Sequence, residues 1–166
     1  MWRIGIRLGV ALLIAGWSAG AWAGSARVTF VQPERFADVG LYGDDRKAKA
    51  DLSGVAQHLE QLAARGLPAD QVLEVDVLDV NMAGYLNPPY RWGQPVRVML
   101  EGTPPSMRLR YRLMQGGNVL ASGEQTLSDT SYLHFVNRYP STDRLRFEKR
   151  MLDQWFSLLV APRTPR

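Results

Sequence analysis

Between Met107 and Leu113 the chain alternates without a fault: Met107, Leu109, Tyr111 and Leu113 are apolar, and Arg108, Arg110 and Arg112 are cationic. Successive side chains of an extended strand point to opposite faces, so this segment fits a strand with one buried face and one wet face. A slip of one residue against its neighbours would turn three guanidinium groups into the core, and the register is therefore strongly constrained. The rest of the chain has to supply partners for this strand and a cover for its apolar side.

Partners are legible on both sides of it. Ala26 to Val31 is rich in β-branched residues and reads as a strand. Gln71 to Val80 places Leu73, Val75 and Val77 on one face and Glu74 and Asp76 on the other. Val96 to Glu101 turns Val96, Val98 and Leu100 inward and Arg97 and Glu101 outward. After Met114, Gln115-Gly116-Gly117 suits a three-residue hairpin loop with a glycine in the left-handed position. Pairing Met114 with Asn118 then sets Arg110 against Ser122 and Arg108 against Glu124, with Val119 and Ala121 on the apolar side.

The cover is helical. Arg46 to Arg65 repeats Leu52, Val55, Ala56, Leu59, Leu62 and Ala63 at three- and four-residue spacing, which makes one apolar stripe. Gly66 suits a left-handed residue after that helix, and Pro68 stops it. Asp143 to Val160 is a second helix, with Thr142 or Asp143 as cap and Leu145, Met151, Leu152, Trp155 and Leu159 along its stripe. Arg144 and Glu148 have the spacing of a helical ion pair. The expectation is an α+β domain: a mainly antiparallel sheet of about five strands with both helices packed on one face. The opposite face then presents Glu74, Asp76, Arg97, Glu101, Arg108, Arg110, Arg112 and Glu124 to water.

The first 23 residues do not belong to that domain. Arg3 and Arg7 precede an apolar stretch, and Ala21-Trp22-Ala23 supplies small residues where a signal peptidase reads, so residues 1–23 are expected to be a cleaved signal peptide. The apolar stretch is short for a bilayer span and holds Gly9, Gly16, Ser18 and Gly20. Residues 24–166 are then a single exported domain, periplasmic, with no transmembrane segment after cleavage. The chain's 20 basic and 16 acidic residues become 18 against 16 once Arg3 and Arg7 are lost, and nucleic acid is not an expected partner. The chain has no cysteine, which excludes disulfides, cysteine-ligated metals, a cysteine nucleophile and a lipid-modified amino terminus.

Little chemistry survives a search of the rest. Neither histidine has metal-ligand spacing: His58 reads as a solvated helix-edge residue, and no metal or cofactor is expected. Nucleophile-elbow, serine–lysine and phosphate-loop motifs are absent. Two features stand out. The segment from Ser128 to Thr142 is long for a loop in a compact domain. It carries His134 and Asp129, the candidate catalytic pair of a small hydrolase, along with Arg138 and several aromatic residues. In the plainer reading Asp129 caps a turn, His134 is exposed, and Tyr132, Leu133 and Phe135 pin the loop to the core. The second feature is the arginine row Arg108, Arg110 and Arg112 with Arg97, a candidate anion-binding face. Tyr90 and Trp92, in a loop dense in proline and aromatic residues, are further candidate contacts.

Several segments taken in order resemble a known family. They are Val28-Thr29-Phe30 with Pro33-Glu34-Arg35-Phe36; Leu73 to Val80 with Ala83-Gly84; Leu109-Arg110-Tyr111-Arg112-Leu113; Ser122-Gly123-Glu124 with Leu127-Ser128-Asp129; and Leu145 to Lys149 with Trp155-Phe156. Together they resemble exported proteobacterial proteins catalogued only as a domain of unknown function (number three thousand and sixteen). The resemblance covers nearly all of residues 24–166. It implies a single periplasmic domain and brings no established activity, so no catalytic residue carries over. The functional expectation is a non-enzymatic binding or envelope-accessory module, whose partner is an envelope protein or an anionic envelope surface; the alternative is the small hydrolase.

Overall fold

A computed structural model describes residues 24–38, 45–87 and 96–161. The expected signal peptide over residues 1–23 lies outside the described residues, as do Tyr90 and Trp92. The elements in chain order are β1 (Ser25–Phe30), a 3-10 turn (Pro33–Arg35), α1 (Asp45–Gly66), β2 (Gln71–Asn81), β3 (Tyr85–Asn87), β4 (Val96–Val98), β5 (Ser106–Gln115), β6 (Asn118–Ser128) and α2 (Arg146–Val160).

The sheet is mixed rather than mainly antiparallel, and it has four strands in the order β1-β2-β5-β6. β1 runs parallel to β2, with Ser25 opposite Val72 and Phe30 opposite Val77. Two neighbouring strands joined by one long helix have to run the same way, because the helix returns the chain to the end where it started. The expected fifth strand is also absent from this sheet. Within Val96 to Glu101 only Val96–Val98 is extended, and it pairs with Tyr85–Asn87 as a separate two-stranded ribbon.

The alternation in β5 holds as expected: Met107, Leu109, Tyr111 and Leu113 are buried and Arg108, Arg110 and Arg112 are exposed. The hairpin register differs from the expected one. Gly116 and Gly117 both take positive φ, 55° and 86°, so the connection is a two-residue turn with Gln115 opposite Asn118. An irregularity between Leu113 and Met114 takes up one residue more. From Ala121 onward the combined shift is two residues, so those side chains keep their faces while their partners change; Asn118 and Val119, before the irregularity, shift by one, and Val119 stands opposite Met114, 52 % exposed, instead of joining the apolar side. Arg110 stands opposite Glu124, Arg112 opposite Ser122 and Arg108 opposite Thr126.

Both helices contribute to one core with the apolar sides of β2 and β5. Leu52, Val55, Leu59 and Ala63 of α1 and Met151, Leu152, Trp155 and Phe156 of α2 share one buried cluster with Leu73, Val75, Val77, Leu109, Tyr111 and Leu113. Trp155 lies edge-on to the Tyr111 ring, with centroids 5.6 Å apart, and donates its indole N–H to Gln125 Oε1 at 2.9 Å. Gly66 remains helical instead of taking the left-handed cap conformation. Its reason is space: a Cβ there would fall 2.6 Å from Phe156 Cε1. α2 begins at Arg146, three residues later than expected, and the capping position is Leu145, with no side-chain cap bond, instead of Thr142 or Asp143. Asp143 still serves its start: Oδ1 accepts the Leu145 N–H at 2.9 Å, Oδ2 accepts Lys149 Nζ at 2.7 Å, and its carbonyl accepts the Arg146 N–H at 3.3 Å. Arg144 pairs with Asp51 of α1 at 3.0 Å and not with Glu148, which is buried.

Candidate functional site

The open face of the sheet is built by β1, β2, β5 and β6 together. Arg108, Arg110 and Arg112 share a face because they alternate along β5, about 6.5–7 Å apart. The parallel pairing of β1 adds a fourth cation the sequence did not assign there, since Arg27 stands opposite Glu74. Two carboxylates hold all four. Glu74 meets Arg112 at 2.7 Å and Arg27 at 3.4 Å. Glu124 accepts both Arg110 Nε at 3.2 Å and Arg110 NH2 at 3.0 Å, and lies 3.9 Å from Arg108. The four guanidinium side chains are 54–75 % exposed. Between them a shallow depression of about 420 Å³ is lined by Arg27, Thr29, Glu74, Asp76, Arg110 and Arg112. A guanidinium carries five N–H donors, so an arginine that gives one or two to a shared carboxylate keeps others turned to solvent.

Arg97 is not part of this face. It sits on the ribbon strand β4, and its NH1 donates to Asp38 Oδ2 at 2.8 Å and to the Ala83 carbonyl at 3.2 Å. The buried Asp38 carboxylate also accepts the Met82 N–H at 3.2 Å. Arg97 therefore ties the ribbon to the main body. Glu101 leaves the face as well, because it lies in the turn beyond β4 with its carboxylate 3.3 Å from His134.

The loop from β6 to α2 separates the two residues of the hydrolase alternative. Asp129 is buried: its Oδ1 accepts the Ser131 N–H at 3.2 Å and its Oδ2 lies 3.7 Å from Arg150. His134 is exposed beside Glu101. Each has its own partners, and the structure does not bring them together. Tyr132 pins the loop as expected, fully buried against the Phe147 ring at 4.8 Å with its hydroxyl donating to the Leu100 carbonyl at 2.7 Å. Leu133 and Phe135 do not pin it; both are exposed.

Sequence reasoning missed a polar junction between the helices. His58 is 3 % exposed rather than solvated, and its Nε2 lies 2.9 Å from Asp153 Oδ1. Tyr139 donates its hydroxyl to Asp153 Oδ2 at 2.7 Å, and Arg138 closes on the same oxygen at 2.7 Å. Burial holds the His58 imidazole below its usual pKa despite the carboxylate beside it. Burial likewise pushes the Tyr139 hydroxyl up. Deeper still, Glu148 Oε1 accepts the Ala83 N–H at 2.7 Å while Oε2 is buried without a partner. Burial pushes this carboxyl above its ordinary range, against the Ala83 N–H bond and the Arg97 charge that act to lower it. A signal for both existed. Glu148 continues the spacing of Leu145, Leu152 and Trp155, and His58 lies three residues from Val55 and four from Leu62, on the flank of the stripe. Among the described residues no group of three or more histidines and acids is placed to hold a metal ion, and no helix is long and apolar enough to cross a membrane.

The profile of the family described as "Protein of unknown function (DUF3016)" matches residues 24–158. No curated protein matches the sequence. Two solved structures are similar at low identity. One is a protein of Xanthomonas campestris assigned to family DUF330, 14% identical, with a TM-score of 0.37, covering 86% of this chain and 85% of its own. The other is a candidate lipoprotein of Caulobacter crescentus CB15, 13% identical, with a TM-score of 0.32, covering 89% of this chain and 96% of its own.

Proposed function

The chain belongs to the DUF3016 family, and on that footing we propose that it is an exported, non-enzymatic binding module whose open sheet face takes an anionic envelope surface. Export is supported by the basic, apolar and small segments of residues 1–23, in that order. The observation that carries the binding role is the sharing of carboxylates: among the described residues, four exposed arginines pair with two carboxylates, Glu74 and Glu124. Exposed ion pairs of this kind contribute only about 0–1 kcal/mol each. An incoming phosphate or carboxylate can therefore displace them and gain bidentate contacts from a row of guanidinium forks. The hydrolase alternative has less support, because His134 and Asp129 keep separate partners.

Co-sedimentation with phosphatidylglycerol vesicles tests the reading. Binding should weaken as salt rises, because exposed charges are screened over about 10 Å at 0.1 M. Replacing Arg108 and Arg110 together by Gln should remove the salt-sensitive part and leave the circular dichroism unchanged. Undiminished sedimentation of that double variant would reduce the row to a solvated face.

A further inference from the structure

Two charged rows cross the open face of the sheet, and they are not filled alike. In the first, Glu74 stands between Arg27 on β1 and Arg112 on β5 and bonds both. In the second, Asp76 stands between Thr29 on β1 and Arg110 on β5. Arg110 has Asp76 opposite on one side and Glu124 opposite on the other, and it gives both its Nε and its NH2 donor to Glu124. Asp76 is left over: among the described residues its carboxylate enters no hydrogen bond and no ion pair. It lines the depression on this face together with Thr29, Arg27, Arg110 and Arg112.

Such a site does not suit a bare anion. A phosphate placed on the guanidinium forks of Arg110 and Arg112 has the Asp76 carboxylate on the neighbouring strand, and like charges at that range repel. A ligand that brings its own cation removes the conflict. Its phosphate takes the solvent-facing donors of the arginines, and its cation meets the unpaired acid. A primary ammonium has three N–H donors, enough for the Asp76 carboxylate and the Thr29 hydroxyl, whereas a quaternary ammonium has none. The two charges of the ligand have to sit about one inter-strand spacing apart, ~4.8 Å. A two-carbon link between phosphate and ammonium spans that distance.

We propose that this depression takes a phosphoethanolamine group, with the phosphate on Arg110 and Arg112 and the primary ammonium on Asp76 and Thr29. The inference rests on the sheet-face reading and names the group which that face selects. Affinity comes from the arginines and selectivity from the acid between them. The same group is presented by a phospholipid headgroup or by a free molecule in solution, and its chemistry toward these side chains is the same in both.

Two probes each remove one feature of the ligand. Ethyl phosphate lacks the ammonium, and phosphatidylcholine carries methyl groups in place of the ammonium N–H donors. In the full chain, titration followed by nuclear magnetic resonance should show phosphoethanolamine binding about tenfold more tightly than ethyl phosphate, the lower end for a hydrogen bond to a charged group because the site is open to water. Vesicles of phosphatidylglycerol with phosphatidylethanolamine should likewise retain more protein than vesicles of phosphatidylglycerol with phosphatidylcholine. Asp76→Asn breaks no side-chain bond of the fold. It should erase both preferences and leave sedimentation with pure phosphatidylglycerol vesicles at least as strong. Preference in both assays assigns the lipid headgroup as the source, and preference in the free-ligand assay alone assigns a soluble phosphoethanolamine. Equal affinity for phosphoethanolamine and ethyl phosphate, or preferences that survive in Asp76→Asn, would overturn the proposal. Failure of the sheet-face reading looks different: Arg108→Gln with Arg110→Gln would then sediment undiminished with pure phosphatidylglycerol, whatever Asp76→Asn does.

Discussion

The two faces of β5 alternate residue by residue along one strand, yet their charges and contacts are governed by opposite rules. Toward the helices, Leu109, Tyr111 and Leu113 are closed under Trp155 and its neighbours, and the ionisable groups on that side, His58 and Glu148, are buried with few partners to choose from. Toward solvent, Arg108 and Arg110 share Glu124, Arg112 shares Glu74 with Arg27, and all keep donors turned to solvent. Exchanging a partner is therefore costly on the first face and nearly free on the second. Stability resides where burial makes each contact irreplaceable, and capacity to bind resides where ion pairs can be traded for a ligand.

The sharpest way to break that contrast is to cut the covered side. Trp155→Ala removes a buried ring that touches Tyr111 and bonds Gln125, and should cost ~3–5 kcal/mol, the usual range for a large aromatic in a core. Urea denaturation followed by circular dichroism measures it, and a midpoint equal to the parent's would show that α2 does not close this face.

A smaller effect comes from protons on the same side. The His58 imidazole has its folded pKa held below the unfolded value of about 6.5, chiefly by burial. Below that value the unfolded chain takes up the proton more readily than the folded one. Stability should therefore be full above about pH 6.5 and decline as pH falls from there toward the lower folded pKa. His58→Gln should flatten this part of the curve. Denaturation midpoints at pH 7.5 and pH 5.5 should differ more for the parent than for the variant; equal differences would mean that His58 is not held neutral by the fold.

The smallest effect belongs to the open face. Glu124→Gln removes the carboxylate shared by Arg108 and Arg110, and should change stability by only ~0–1 kcal/mol. It should also strengthen vesicle binding at low salt, because both guanidinium groups are released from a competitor. A loss of several kcal/mol would show that the face is held together as tightly as the core.

How far the sequence could be read follows from the range of the forces involved. Alternation in β5 and the Leu52–Ala63 stripe of α1 are local patterns with one physical meaning each, and both stand in the structure. The direction of β1 is not local: it depends on where a helix of 22 residues delivers the chain, and no residue of β1 encodes it. Arg97 alternates with Val96 and Val98 just as Arg108 alternates with its neighbours. What differs is the partner strand, a three-residue ribbon instead of the sheet, and Asp38, 59 positions away, supplies the reason the arginine stays there. The turn and the irregularity each move the hairpin pairing by one residue, so from Ala121 onward the faces survive although the pairs do not, while Val119, between the two, changes face. His58 was misplaced because a single-helix stripe does not reveal a second helix packed on its flank.

The parallel pairing of β1 also bears on the order in which this sheet comes together. Arg110 and Glu124 of the hairpin are 14 positions apart, whereas Arg27 and Glu74 across β1 and β2 are 47 apart. Closing the longer loop costs about 1 kcal/mol more in chain entropy, and it gains little until the intervening helix has formed. The β5–β6 hairpin can form on the microsecond scale from its own two-residue turn. Among the described residues β1 pairs in the sheet with β2, which lies beyond the whole of α1 in the chain. The face that carries the arginine row thus joins contacts of unlike range: Arg110–Glu124 is local to the hairpin, whereas Arg27–Glu74 must bridge 47 positions.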